Sequence, residues 1–273
     1  VMLKTLDGET RLFAILGDPI AQVKSPGGIT QAMVERGANA VLVPMHVQPA
    51  GFAAFMRAAP GIRNLEGLIM TVPHKIPVSA YVETFTDRAG FLGACNILRR
   101  NAAGGSWHAD ATDGYGFVAA LRAAGFEPRD KRALLVGAGG AGSAIALALV
   151  EAGVTDLAIH DAITERRDGL IARLNGLARS QGRDASVRIG SPDPSGVDLA
   201  VNATPMGMQP SDPLPMDVDR LSVGCLAADV ITAPVRSRFL EAAAARGCRT
   251  QTGVDMFTAQ VDFIADFLLA AGR

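Results

Sequence analysis

Apolar residues in this chain come as short unbroken runs, separated by stretches in which they recur every three or four positions. The runs Leu12 to Leu16, Ala40 to Met45 and Gly67 to Thr71 read as strands, and Ile29 to Arg36 and Pro49 to Ala59 between them read as helices. That alternation predicts βαβ units on a mainly parallel sheet. Asn96 to Arg99 and Ser106 to Ala111 flank Asn101-Ala102-Ala103-Gly104-Gly105 and predict a hairpin. Gly114 to Ala124 follows as a connecting helix, broken by Gly125 to Asp130. In the second half, strands are expected at Ala133 to Val136, Thr155 to His160, Val197 to Asn202 and Leu226 to Val230, and helices at Ser143 to Ala152, Leu170 to Arg179 and Ser237 to Arg246. A last stripe, Met256, Phe257, Gln260, Val261, Ile264, Phe267 and Leu268, has helical spacing and predicts a helix that packs back on the first half. The Pro-rich piece Pro205 to Pro215 reads as a surface loop.

The junction between the halves carries the sharpest signal. The strand Ala133 to Val136 runs into Gly137-Ala138-Gly139-Gly140-Ala141-Gly142, then into an alanine- and leucine-rich helix, then a second strand closing on Asp161. A dinucleotide fold needs its first glycine for a tight turn, its second for backbone approach to the pyrophosphate and its third for helix-strand packing. Gly137, Gly139 and Gly142 occupy those places. The helix N-terminus then offers positive potential to a diphosphate, and Asp161 stands where a carboxylate accepts ribose hydroxyls and repels a 2′-phosphate. NAD is therefore expected over NADP, with Arg166 and Arg167 as the counter-argument. The competing reading of the uncharged residues 133–150 as a membrane span fails on its interrupting glycines and marginal length.

The chain has 273 residues, enough for two ordinary domains, and a formal net charge of -1 without a basic stripe, which argues against a nucleic-acid partner. Cys95, Cys225 and Cys248 share no close spacing, so neither a disulfide framework nor a zinc knuckle is expected. His46, His74, His108 and His160 are scattered without an i, i+4 pair, and no metal is expected. The stretch Val1 to Asp7 lacks the apolar core of a signal peptide. These features together predict a cytoplasmic protein, a monomer or homodimer, acting on a small molecule and engaging neither nucleic acid nor membrane.

Four loops at strand ends stand where open α/β sheets place ligands: Gly17 to Pro26, Thr71-Val72-Pro73-His74-Lys75, Gly93-Ala94-Cys95-Asn96 and Ala111 to Gly116. With Gly137 to Gly142, Asn202-Ala203-Thr204-Pro205-Met206-Gly207 and the Met256 to Gln260 helix start, they resemble the shikimate/quinate dehydrogenase family in order and spacing, over nearly the whole chain. The resemblance implies an α/β fold with an N-terminal substrate domain over residues 1–113, completed by a C-terminal helix at 250–273. A Rossmann-type doubly wound dinucleotide domain would cover residues 114–249, and hydride would pass between nicotinamide and a cyclic alcohol or ketone.

It further implies Lys75 and Asp113 as the catalytic pair, with Ser25, Thr71, Asn96 and Gln260 holding the substrate. Gly137, Ala138, Gly139, Gly140, Ala141, Gly142, Asp161, Asn202, Ala203, Thr204 and Met206 would bind the cofactor. Taken singly, Lys75 reads as a solvated surface lysine and Asp113 as a helix N-cap. The chain also departs from the family pattern. Val23 and Thr232 stand where a serine and a tyrosine contact the substrate's carboxylate, and Ile69 and Ala111 replace asparagines. Family members using NADP carry basic residues where this chain has Asp161 and Glu165. The expected activity is an NAD-dependent oxidation or reduction of a shikimate- or quinate-like ring with altered acid recognition. Ordinary biosynthetic shikimate dehydrogenase and a dinucleotide-binding regulator without turnover are the alternatives.

Overall fold

The computed structural model describes residues 6–101 and 105–270; the first five residues of the N-terminal stretch and residues 102–104 of the expected hairpin loop lie outside them. The chain divides into two units, one running to Thr112 and resuming at Gln260, the other Asp113–Ala259. The first contains β1 (Arg11–Gly17), α1 (Ser25–Glu35), β2 (Ala40–His46), α2 (Pro49–Ala58), β3 (Leu65–Met70), β4 (Thr84–Phe85), α3 (Asp87–Leu92), β5 (Ile97–Arg100) and β6 (Trp107–Asp110). The second contains α4 (Asp113–Ala123), β7 (Arg132–Val136), α5 (Gly140–Glu151), β8 (Asp156–His160), α6 (Thr164–Ser180), β9 (Ser186–Ile189), β10 (Leu199–Asn202), β11 (Leu226–Asp229), α7 (Arg238–Ala245), β12 (Arg249–Gln251) and α8 (Gly253–Thr258). The returning segment adds α9 (Val261–Leu269) to the first unit.

In the first unit the strands lie in the order β2-β1-β3-β5-β6-β4. β1 runs parallel to β2 and β3, and β5 is antiparallel to both β3 and β6. β1 is flanked on both edges and Phe13 to Gly17 are buried, which is why it reads as a continuous apolar run rather than an alternating one. α9 closes one face of this sheet. Its approach depends on Gly67 in β3, where a Cβ would come 2.7 Å from the Leu268 side chain of α9 and 2.8 Å from that of Phe13.

The second unit is a parallel sheet in the order β12-β11-β10-β7-β8-β9. Counted from β7, this is the 3-2-1-4-5-6 arrangement of the Rossmann fold, whose strand order reverses between β7 and β10. The carboxyl ends of those two strands are Val136 and Asn202. Among the described residues no helix is long and apolar enough to cross a membrane, and residues 133–150 form β7, the glycine turn and most of α5.

Several elements differ from the sequence pattern. α1 begins at Ser25 rather than Ile29, taking Pro26, Gly27 and Gly28 into its first turn, and α6 begins at Thr164 rather than Leu170. The short elements β4, α3, β9 and β12 have no counterpart in the expected pattern. β4 has two residues, and β9 and β12 each bury one fully, Val187 and Gln251, too little to leave a periodic signature. The single closing helix expected over 250–273 is corrected: β12 pairs with β11 and α8 packs on α4, both in the second unit, and only the chain from Gln260 returns to the first. The reason is a turn signal inside that stretch, where Thr252 and Asp255 form a capping box that starts a separate helix.

Packing of α4 on α5 is closest at Gly114, where a Cβ would run into the carbonyl oxygen of Ala144. Backbone offers no rotamer escape, so Gly114→Ala is expected to destabilise the second unit by about 1–3 kcal/mol. Gly169→Ala, in open space on α6, is expected to be neutral or stabilising. Thermal melting of the two variants checks this, and equal melting temperatures would remove the steric account.

Candidate active site

The first unit gathers its polar residues at the carboxyl ends of its parallel strands. The Gly17 and Thr71 turns are laced together: the Thr71 N–H donates to Leu16 O at 2.9 Å and the Asp18 N–H to Val72 O at 2.9 Å. Gly17 leaves no room for a Cβ against Thr71 and Val72. Lys75 follows at the end of this turn. His74 beside it is buried, stacks on Phe52 with ring centroids 4.2 Å apart, and places Nε2 2.6 Å from Val47 O. The Lys75 carbonyl accepts from the Cys95 N–H at 2.9 Å, which fixes the strand-end segment carrying Asn96 against the lysine's backbone.

Asn96 and Gln260 are both buried, and a residue outside the expected set joins them. Asn96 Nδ2 donates to Thr112 Oγ1 at 2.8 Å, the Thr112 N–H donates to Asn96 Oδ1 at 2.7 Å, and Thr112 Oγ1 donates to Gln260 Oε1 at 2.8 Å. Gln260 is thus buried and bonded, just ahead of α9. Thr112 gives no signal of its own in the sequence beyond sitting between Ala111 and Asp113. Just before it, the buried Asp110 receives a forked pair from Arg88, at 2.7 and 2.5 Å, and further donations from Thr86 Oγ1 and the Ala111 N–H. These fix the strand end from which residues 111–113 emerge.

Ser25, the first residue of α1, has a buried hydroxyl without a hydrogen bond among the described residues. α1 has no side-chain cap and no acidic residue in its first turn, so neither supplies an anion to its N-terminal N–H groups. Val23 sits in the turn just before, its N–H donating to Ile20 O.

In the second unit, Gly137 has φ 106°, and a Cβ on it would meet Ala203 O at 2.7 Å; a Cβ on Gly142 would strike Gly137 O. These glycines let the β7 turn, the start of α5 and the β10 turn approach backbone to backbone. Gly139 caps α5 without a side chain, and no acidic residue lies in its first turn. Such a cradle fits a dinucleotide diphosphate. Asp161 Oδ2 accepts the Ala138 N–H at 2.6 Å, while Oδ1 accepts the Ile163 N–H at 2.8 Å and Arg166 Nη2 at 3.0 Å. Burial pushes the Asp161 carboxyl up, but the two N–H donors and Arg166 outweigh it and hold it below the ordinary carboxylate range.

Asn202 ends β10 and organises the loop after it: its Oδ1 accepts from Thr204 N–H and Oγ1, at 3.1 and 2.7 Å, and its Nδ2 donates to Met206 O at 3.0 Å. Thr232 follows β11, half-buried, in the second unit. Asp113 opens α4 as the acid of its first turn. The three cysteines are buried and free, with burial pushing Cys95 and Cys225 up to about 12. No cluster able to hold a metal ion occurs among the described residues.

Residues 15–98 match the shikimate dehydrogenase substrate binding domain. A shikimate dehydrogenase (NADP(+)) of Rubrobacter xylanophilus is 37% identical over 245 residues, 88% of this chain and 84% of that protein. The chain belongs to the shikimate/quinate dehydrogenase family. It is accordingly an oxidoreductase acting on a secondary alcohol with a nicotinamide dinucleotide. Among solved members, quinate dehydrogenase from Corynebacterium glutamicum in complex with NAD superposes with a TM-score of 0.81 at 27% identity, covering 95% of this chain and 93% of that one. The 5-ketofructose reductase of a Gluconobacter strain gives 0.80 at 27% identity, covering 98% and 95%.

Thr112→Val keeps the shape of the side chain but removes the hydroxyl that accepts from Asn96 Nδ2 and donates to Gln260 Oε1. Each such unmade buried bond costs about 1–3 kcal/mol. Thr112→Val should therefore melt well below wild type while Thr112→Ser, which restores the hydroxyl, melts near it. Indistinguishable melting curves for the two variants would show that the hydroxyl carries no such bonds.

Proposed function

We propose that this protein is an NAD-dependent dehydrogenase of a shikimate- or quinate-like cyclic compound, with Lys75 and Asp113 as its catalytic pair. When bound, the dinucleotide supplies the hydride acceptor or donor. Lys75 Nζ takes the proton from the reacting hydroxyl, or returns it to the ketone, and Asp113 orients the ammonium group. Thr71, Asn96 and Gln260 hold the ring hydroxyls, the last two through the geometry Thr112 imposes. The glycines 137, 139 and 142 with Ala138, Gly140 and Ala141 hold the diphosphate on the α5 N-terminus, and Ala203, Thr204 and Met206, shaped by Asn202, hold the nicotinamide end.

The observation that carries the cofactor reading is the state of Asp161. Its carboxyl is held charged by its donors, and three of its roughly four acceptor places are filled, which leaves room for a ribose hydroxyl and none for a phosphate. Arg166, the side chain that would otherwise reach for a 2′-phosphate, is already paired to it. The NADP(+) in the names of curated relatives points the other way. Titration calorimetry with both cofactors decides: tighter binding of NAD is expected, and equal or tighter binding of NADP would give the site to Arg166 or Arg167.

Val23 and Thr232 support a substrate whose acid is held differently from shikimate's, since a carboxylate meeting a valine methyl loses hydrogen bonds it had in water. A second reading, ordinary shikimate dehydrogenase, is favoured by the uncapped α1 N-terminus and the unpartnered Ser25 hydroxyl, which together suit an anion. Initial rates with shikimate, quinate and the neutral keto sugar 5-ketofructose separate them. Efficient turnover of shikimate establishes the second reading, and turnover of the keto sugar alone would place this chain with the reductase that it resembles. With the best substrate, Lys75→Ala is expected to lower kcat by about 10²- to 10⁴-fold while NADH affinity holds. Near-normal kcat would take Lys75 out of the reaction.

A further inference from the structure

Asp229, at the end of β11, is fully buried, and the groups that bond it carry no charge. Ser237 Oγ donates to Oδ2 at 2.5 Å and the Ile231 N–H to Oδ1 at 3.0 Å. The third donor is the amide of Asn202, whose Nδ2 lies 3.2 Å from both carboxylate oxygens. An amide has a donor end and an acceptor end of almost identical shape, and only its partners decide which way it faces. An ionised carboxylate accepts and never donates. Asp229 therefore holds the Asn202 nitrogen toward itself, and Met206 O, which accepts from the same nitrogen at 3.0 Å, requires the same orientation; the Asn202 oxygen then faces Thr204, where it takes both the backbone N–H and the hydroxyl. Thr204 Oγ1 in turn accepts the Met206 N–H at 3.1 Å. Thr204 and Met206 belong to the loop itself, so through this amide the loop is tied to Asp229 at the end of β11.

We propose that Asp229 is the positioning residue of the nicotinamide loop, acting through Asn202, and that the loop takes its cofactor-binding shape only while Asp229 is ionised. This rests on the reading, made above, that residues 202–206 hold the cofactor. Burial pushes the Asp229 carboxyl up to about 6, with Ser237, Ile231 and Asn202 only partly offsetting it. A proton on that carboxyl removes its charge and makes one of the two oxygens facing the Asn202 amide a donor, so the anchor that Asp229 gives the amide from outside the loop weakens. Of the charged groups on the neighbouring segments, Arg238 donates to the carbonyls of Pro210 and Asp212, the Asp212 carboxylate accepts the Gly207 and Gln209 N–H groups, Asp255 is held in the Thr252 capping box, and Arg236 is exposed. Since NADH binding selects the ionised form, affinity falls as pH drops through about 6.

The test is NADH binding to the full chain, read by nucleotide fluorescence from pH 5 to pH 8, for wild type, Asp229→Asn and Asn202→Ala. Wild type is expected to lose about tenfold in affinity on acidification, the worth of one hydrogen bond to a charged group. Asp229→Asn, nearly isosteric but unable to ionise, is expected to bind as acid wild type does at every pH, with no midpoint. Asn202→Ala should weaken binding at all pH values. Weakened binding in Asn202→Ala together with wild-type affinity and pH profile in Asp229→Asn would overturn the role of Asp229 alone. Unchanged affinity in Asn202→Ala would overturn the loop's part in cofactor binding, and the proposal with it. Should Asp229→Asn not fold, a wild-type profile that is flat between pH 5 and pH 7 still refutes the proposal.

Discussion

The second unit depends on places where two backbones meet with nothing between them. Gly137 faces the Ala203 carbonyl, Gly142 the Gly137 carbonyl, Gly114 the Ala144 carbonyl and Gly253 the carbonyls of Val230 and Ile231. Each is a point where a single methyl would force a strand turn or a helix aside. The result is a sheet whose functional edge is made of main chain. Amide N–H groups and carbonyls rather than side chains define the floor of the nucleotide cradle, which is why so few of its residues carry chemistry of their own.

On both units this main-chain floor is dressed by a buried primary amide whose orientation a neighbour fixes. In the first unit Thr112 takes both ends of Asn96, donating from its N–H and accepting at its hydroxyl. In the second, Asp229 takes the nitrogen of Asn202. Groups that are to present hydrogen-bond donors or acceptors in a set direction cannot be left to rotate, and burial makes an unmatched orientation costly. In the proposed site, the amides that would face a ligand are oriented by Thr112 and Asp229, both themselves buried.

Much of this could be read from the chain. β1, β7, β10 and β11 are buried on both faces and announce themselves as apolar runs, and the glycine spacing after β7 fixes the dinucleotide turn. The edge strands β9 and β12 could not be read, because Val187 and Gln251 are each the lone fully buried residue of their strand. The start of α1 is hidden because Gly27 and Gly28 are poor helix formers, while Pro26 takes a first-turn place that proline tolerates. Among the proposed site residues, Lys75, Asp113 and Gln260 are singled out by family resemblance, not by any pattern of their own. Thr112 and Asp229 look like an ordinary turn threonine and a strand-end aspartate. What distinguishes them is the amide each meets, and Asn96, Asn202 and Gln260 lie 16, 27 and 148 residues away from them.

One consequence follows from the Thr112 to Gln260 hydrogen bond. Thr112 is the last residue of the first unit before the chain departs, and Gln260 is the first on its return. Topologically, the whole of Asp113–Ala259 is an insertion whose two stems are clasped at their base. The entropy of closing a loop rises only with the logarithm of its length, about 0.6 kcal/mol for each doubling. The first unit is therefore nearly indifferent to how large a body hangs from that clasp, so segments can be gained or lost in the nucleotide-binding half while the sheet beneath Asn96 and Gln260 stays as it is.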